Sequence, residues 1–198
     1  MEKKLALFDF DGTITTKDTL LELGKFHKGK FLFVFYMILL LPWLILMKAG
    51  VLVNWKVKER YLKLFFGGMD EKEFSKLCKK FASNKLPELI RPLSLVALKK
   101  FRDDQYDIYI VSASVVDWIQ PWAQIHGIQV IATELEKKEG KITGKLNGIN
   151  CHGTNKVTKI QECLNLDDYK VIEAFGDSSG DKQMLAIATK SYYRPFRN

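Results

Sequence analysis

Eleven residues near the amino terminus, Leu5 to Thr15, read LALFDFDGTIT and constrain the chain more than any other segment. A short apolar run of this kind is a buried strand, and here it delivers two carboxylates into a glycine turn. Residues two apart in a strand share a face, so the pattern predicts that Asp9 and Asp11 point the same way. One carboxylate can then attack phosphorus while the other handles the proton. An acidic pair alone is common on protein surfaces. Asp9-Phe10-Asp11-Gly12-Thr13 placed directly after Leu5–Phe8 is far more specific.

Downstream, strand-like and helix-like segments alternate. A second apolar run, Ile108 to Val111, ends on Ser112 and follows a helical Ser94–Phe101. Val115–His126 reads as a helix, Gln129–Ala132 as a short strand, and Gly140–Leu146 as a hairpin or loop excursion. Asn155–Cys163 is helical in pattern, Lys170–Phe175 a strand and Lys182–Ala188 a helix. Such alternation predicts an α/β fold with a Rossmann-like, mostly parallel sheet covered on both faces. Thr15 to Pro92 has a helical texture of its own. The expected organisation is therefore a discontinuous catalytic core, residues 1–14 and 93–198, with an inserted helical cap, residues 15–92.

Four segments need one chemical explanation. Asp9 and Asp11 end the first strand, and Ser112 and Ser114 end the second within VSAS. Lys156 begins a helix after Gly153, and Asp177 and Asp181 follow the Lys170–Phe175 strand in GDSSGD. Ligand sites of open α/β sheets lie beyond the carboxyl ends of the strands, which can unite all four. Together they suit phosphoryl transfer to Asp9, with Asp11 as proton donor and then base toward water. Mg²⁺ takes oxygen ligands, which Asp9, the Phe10 or Asp11 backbone carbonyl, and Asp177 can supply. Lys156 would neutralise the phosphate and nucleophile, and Ser112 would donate its hydroxyl to a phosphoryl oxygen. Asp181 is expected to orient Lys156 or to hold a metal-bound water.

Phe31–Met47, FLFVFYMILLLPWLILM, is 17 apolar or aromatic residues between Lys30 and Lys48. As one helix it would be about 25 Å long, short of a bilayer core of roughly 30 Å. A single crossing would also put Asp9 and the later site residues on opposite sides of a membrane. Two readings remain: a buried cap helix, or a Pro42-centred hairpin entering one leaflet, with Trp43, Trp55 and flanking lysines as interfacial anchors.

The 198 residues, 47% hydrophobic and 27% charged, fit a folded domain. A net charge of +8 favours an anionic partner. Nucleic acid is not expected, because no zinc-finger spacing, aromatic RNA motif or recognition-helix signature appears. Cys78, Cys151 and Cys163 are widely spaced and odd in number, which points to a reducing compartment. A strand begins within a few residues of Met1, so no signal peptide is expected. Cys151 and His152 lack an evident third partner for thiol chemistry.

These motifs resemble the haloacid-dehalogenase-like phosphohydrolases, in the phosphoserine-phosphatase-like branch. DFDGT matches the first motif, VSAS the second at Ser112, Lys156 the third and Gly176–Asp181 the fourth. Ala132–Glu136, Gly140, Thr143-Gly144 and Asn150-Cys151 through Gly153 also look like this branch. The resemblance implies Asp9 as nucleophile and Asp11 as acid/base. The apolar cap is similar to that of the bacterial phosphatidylglycerophosphatase C family. That likeness implies Mg²⁺-dependent removal of the terminal phosphate of phosphatidylglycerophosphate, at the cytoplasmic side of the inner membrane. Lys48, Lys56, Lys58 and Arg60 would then face the lipid surface. The alternatives are a soluble cytoplasmic phosphatase of small phosphomonoesters, such as phosphoserine phosphatase, and a non-catalytic anion-binding scaffold.

Overall fold

The computed structural model describes residues 2–197. Six strands form one sheet: β1 (Lys3–Phe8), β2 (Asp107–Val115), β3 (Gln129–Lys138), β4 (Lys141–Asn147), β5 (Tyr169–Gly176) and β6 (Lys190–Tyr193). Their spatial order is β4-β3-β2-β1-β5-β6. Only the β3–β4 pair is antiparallel. The sheet is thus mostly parallel, as the alternating pattern predicts. β1 lies inside it, with Phe8 opposite Ile110 on one side and Phe175 on the other.

Strand alternation decides which face each side chain joins. Leu5 and Leu7 pack with Tyr109, Val111 and Ile172 against Ile160 of α6 (Thr154–Cys163) and Met184 of α7 (Lys182–Ala186). Ala6 and Phe8 turn the opposite way, toward Leu98 and Phe101 of α4 (Pro92–Asp103) and Trp118 and Ile119 of α5 (Val116–Ile125). An aromatic row crosses three strands on this side: Phe8 stacks on Phe175 at 4.4 Å, and Phe175 on Tyr192 at 4.6 Å. β1, β2 and β5 therefore bury both faces, which explains near-continuous apolar runs in place of a polar alternation.

Between β1 and α4 the chain forms α1 (Thr19–Lys48), α2 (Asn54–Phe66) and α3 (Glu71–Asn84). Asp18 caps α1 by accepting from Leu21 N at 3.1 Å, and Asp70 caps α3 by accepting from Lys72 N at 2.8 Å. The β3–β4 hairpin reaches out to hold α2. Gly144 has φ +86°, and a Cβ there would stand 2.4 Å from Lys63 Cα. Only glycine lets that strand lie against the helix backbone.

The structure corrects four expectations. β1 ends at Phe8, so strand alternation does not align Asp9 with Asp11; a single turn over Phe10–Ile14 does. The helix runs through Pro42, and the chain reverses only after Lys48; the break in α1 falls at Gly29. No Pro42-centred hairpin exists: the helix is unbroken between Gly29 and Lys48, and α2 packs against it. β3 runs on to Lys138 because β4 pairs with it, and β6 adds an edge strand that its sequence, Lys190–Tyr193, did not announce.

Candidate active site

The carboxyl ends of β1, β2 and β5 and the start of α6 open on one cleft of about 710 Å³. Asp9, Asp11, Ser112, Lys156, Asp177 and Asp181 all line it. The six residues singled out from four separate segments are thus brought together.

Asp9 follows directly on β1, its N–H donating to Phe175 O at 2.8 Å. Its Oδ1 lies 2.6 Å from Lys156 Nζ, and its Oδ2 accepts from Thr13 Oγ1 at 3.3 Å. Lys156 is 1% exposed and also donates to Asp181 Oδ1 at 2.6 Å and Val111 O at 2.8 Å. All three ammonium protons are therefore used. Burial alone would lower this lysine, but Asp9 and Asp181 outweigh it and hold Lys156 above its ordinary value. Burial raises Asp9 to about 6 in spite of Lys156.

Asp11 is committed differently. Its Oδ2 accepts from Ser114 Oγ at 2.5 Å and its Oδ1 from the Thr19 N–H, at the start of α1, at 2.6 Å. Thr19 Oγ1 in turn meets Ser114 Oγ at 3.3 Å and accepts from Trp118 Nε1 at 3.0 Å. Burial, with Asp18 adding to it, pushes Asp11 up to about 7 against the pull of these donors. Such a value suits a group that gives and then takes a proton near neutrality. Ser112 is buried, and its Oγ accepts from Ser114 N at 3.0 Å, leaving its own proton to donate.

The loop after β5 holds the remaining acids. Asp181 Oδ2 accepts from Asp177 N, Ser178 N and Ser178 Oγ at 2.8–3.1 Å, while its Oδ1 serves Lys156. Burial would raise Asp181, but Lys156 and the Ser178 donors overcome it and keep its carboxyl below the usual range. Asp177 is raised by burial and by Asp181, with Arg197 opposing. Gly12 completes the floor: its φ is +83°, and a Cβ there would lie 2.4 Å from Asp177 Oδ2.

Asp9, Asp177 and Asp181 each offer a carboxylate oxygen, all within 4.8 Å of one another. Hard oxygen donors of this kind fit Mg²⁺. Asp181 is already saturated by donors, which leaves Asp9 and Asp177 as the freer carboxylates. The Asp11 side chain is turned to Ser114 and Thr19 instead.

Sequence reasoning missed two cations. Arg197 reaches Asp177 Oδ2 at 2.6 Å, brought back by Phe196, which stacks over Phe175. Lys58, expected at a lipid surface, turns into the cleft, where its ammonium donates to Ala113 O and Asn150 Oδ1. Nothing local distinguishes Lys58 from its neighbours; its place on the inner stripe of α2 with Asn54, Val57 and Tyr61 does.

Residues 6–186 match the model of the haloacid dehalogenase-like hydrolases. The chain belongs to that family. Protein CicA of Caulobacter vibrioides (strain NA1000 / CB15N) is 34% identical over 200 residues, covering 99% of this chain and 88% of that protein. A protein of unknown function from Bordetella pertussis Tohama I superposes with TM-score 0.84 at 20% identity, over 96% of this chain and 89% of that one. A phosphoserine phosphatase solved as a phospho-aspartyl intermediate analogue gives 0.60 at 22% identity, over 96% and 86%. The fold is that of the phosphoserine-phosphatase-like branch, and the family is one of hydrolases.

Proposed function

We propose that this hydrolase is a Mg²⁺-dependent phosphomonoesterase that works through an aspartyl-phosphate intermediate on a lipid phosphate, phosphatidylglycerophosphate or a similar molecule. Asp9 attacks phosphorus as the bond to the leaving oxygen breaks, and Asp11 gives that oxygen its proton. Water then attacks the phosphorylated Asp9, Asp11 takes the proton back, and phosphate leaves. Lys156 neutralises the nucleophile and the phosphoryl group, and Ser112 donates to a phosphoryl oxygen. Mg²⁺, held by Asp9, Asp177 and the Asp11 carbonyl, would offset phosphate charge so that a carboxylate can approach it.

The observation that carries the lipid reading is the wall of the cleft. Leu40, Leu44 and Met47 on α1 line the same cavity as Asp9 and Asp11. The far face of that helix is bare: Phe31 is 87% exposed, Ile38 60% and Ile45 58%. Only 6% of its most apolar eighteen-residue window, mean hydropathy 2.2, is buried, which argues against an ordinary core helix. A patch of this kind marks an interaction surface. Because its inner side forms the cleft, α1 cannot be surrounded by lipid and would lie in the interface plane. Lys28, Lys30, Lys48 and Lys56 flank it, as contact with anionic headgroups requires. In this reading α1–α3, within residues 15–92, act as a cap over the core of residues 1–14 and 93–198, at the cytoplasmic face of the inner membrane.

The second reading, a soluble phosphomonoester substrate, is favoured by the fold shared with phosphoserine phosphatase. Turnover of matched short-chain and long-chain phosphomonoesters, with and without Mg²⁺, separates the two. The lipid reading expects preference for the long chain and co-sedimentation with anionic vesicles. Equal turnover together with no vesicle recovery would overturn it.

A further inference from the structure

The cleft contains a cation that the chemistry above does not use. Lys58 is part-buried, and its ammonium meets two neutral oxygens, Ala113 O and, at 2.9 Å, Asn150 Oδ1. Among the described residues no carboxylate stands within ion-pair distance of it. Lys156, by contrast, holds two. A cation drawn out of water with only neutral partners is costly, and burial accordingly lowers Lys58 to about 8 despite Asp11 and Asp18. An arriving anion would remove that cost.

The surroundings allow the ammonium to move to such an anion. Thr133 Oγ1 lies 2.7 Å from Ala113 O and 3.2 Å from Asn150 Oδ1, so its one proton can serve either oxygen when Lys58 turns away. Its position names which anion it meets. Its ammonium is held at Ala113 O, next in the chain to Ser114, whose hydroxyl donates to Asp11. Asp11 is the group assigned to the leaving oxygen, so this contact puts Lys58 near the group that serves the leaving side. Val57, Leu40 and Leu44 line the same cleft.

One cleft therefore presents carboxylates and Lys156, an ammonium with only neutral partners, and hydrocarbon. We propose that Lys58 is a substrate-recognition residue that pairs with a second anionic group, a phosphodiester, lying between the phosphomonoester and the acyl chain of the substrate. This rests on the lipid reading for the order of the groups, but not for the presence of the second anion.

Four substrates test it: a long-chain and a short-chain alkyl phosphate, and the same two chains joined through a phosphodiester to glycerol phosphate. The measured quantity is the preference, the ratio of kcat/KM for the diester-bearing member to that for the plain phosphate. Lys58→Met should lower this preference about tenfold or more, the worth of one charge-assisted hydrogen bond, and mainly through KM. Lys58→Arg should keep most of it. An unchanged preference in Lys58→Met, or a loss of kcat equal on all four substrates, would overturn the assignment. The wild-type enzyme supplies a test that needs no variant: an alkyl phosphodiester of glycerol, lacking any phosphomonoester, should inhibit competitively, and no inhibition would defeat the proposal. Chain length is read separately. If wild type treats both lengths alike and is not recovered with vesicles, the lipid reading falls, while the preference of the short-chain pair still decides for or against Lys58.

Discussion

Lys156 Nζ lies 2.6 Å from Asp9 Oδ1, although the two residues are 147 positions apart in sequence. The contact closes the distance between the end of β1 and the first turn of α6, and it puts a fully buried charge beside the nucleophile. With Asp181 at the same distance on its other side, Lys156 is the neutralising centre of two acids. Removing it should leave those carboxylates facing one another without a counterion.

Lys156→Met is accordingly expected to destabilise the fold by about 3–5 kcal/mol, the range for breaking a buried pair. Urea denaturation measures this. Mg²⁺ should restore more stability to the variant than to the wild type, since a divalent cation can take over part of the lost charge. Asp9→Asn is the opposite case: it should fold with a near-native melting curve and lose Mg²⁺-dependent turnover. Near-native activity in that variant would exclude the covalent mechanism.

Both catalytic carboxyls carry raised values in the folded protein, Asp9 to about 6 and Asp11 to about 7, through burial first. Between pH 4 and 7 the folded state therefore binds more protons than the unfolded one, so stability falls as pH rises through that window. The melting temperature of the metal-free protein should decline from pH 4 toward pH 7, and Mg²⁺ should raise it more at pH 7 than at pH 5. In activity, the first step needs Asp9 ionised and Asp11 protonated, so kcat/KM should peak at mildly acid pH. Ser114→Ala removes a donor that favours the Asp11 carboxylate, and its alkaline limb should move to higher pH.

Gly12 sits at φ +83° with no room for a methyl group beside Asp177. Gly12→Ala should cost about 1–2 kcal/mol for the backbone conformation alone. The displaced Asp177 should also raise the Mg²⁺ concentration needed for half-maximal turnover. A Mg²⁺ titration of activity, paired with a urea melt, checks both.

The two sides of α1 should respond oppositely to mutation. Leu40 is 3% exposed and lines the cleft, so Leu40→Ala should cost about 2–5 kcal/mol in a urea melt. Ile38 is 60% exposed, and Ile38→Lys should stay within about 0.5 kcal/mol of wild type. The same Ile38→Lys protein is expected to lose vesicle co-sedimentation and long-chain preference. Retention of both would remove α1 from any role at a lipid surface.

Much of this was readable in the chain because the relevant forces are local. Apolar runs of strand length, separated by helical periods, fix an alternating α/β order, and the DFDGT and GDSSGD segments place acids where strands must end. Topology then brings Asp9, Ser112, Lys156 and Asp177 to one edge with few alternatives. What sequence could not reveal were relations that depend on a neighbour's position. Asp9 and Asp11 meet through a turn, not through strand alternation, and β6 pairs only because β5 offers it a parallel edge. The same holds for the side chains of α1 and α2. An evenly apolar helix contains no signal of which face will be covered, and one lysine among several on a basic helix contains no signal that it will turn inward. Those choices are made by packing, when α2 and the β3–β4 hairpin pin the helices over the cleft and leave Ile38 outside, Leu40 inside and Lys58 beside Ala113.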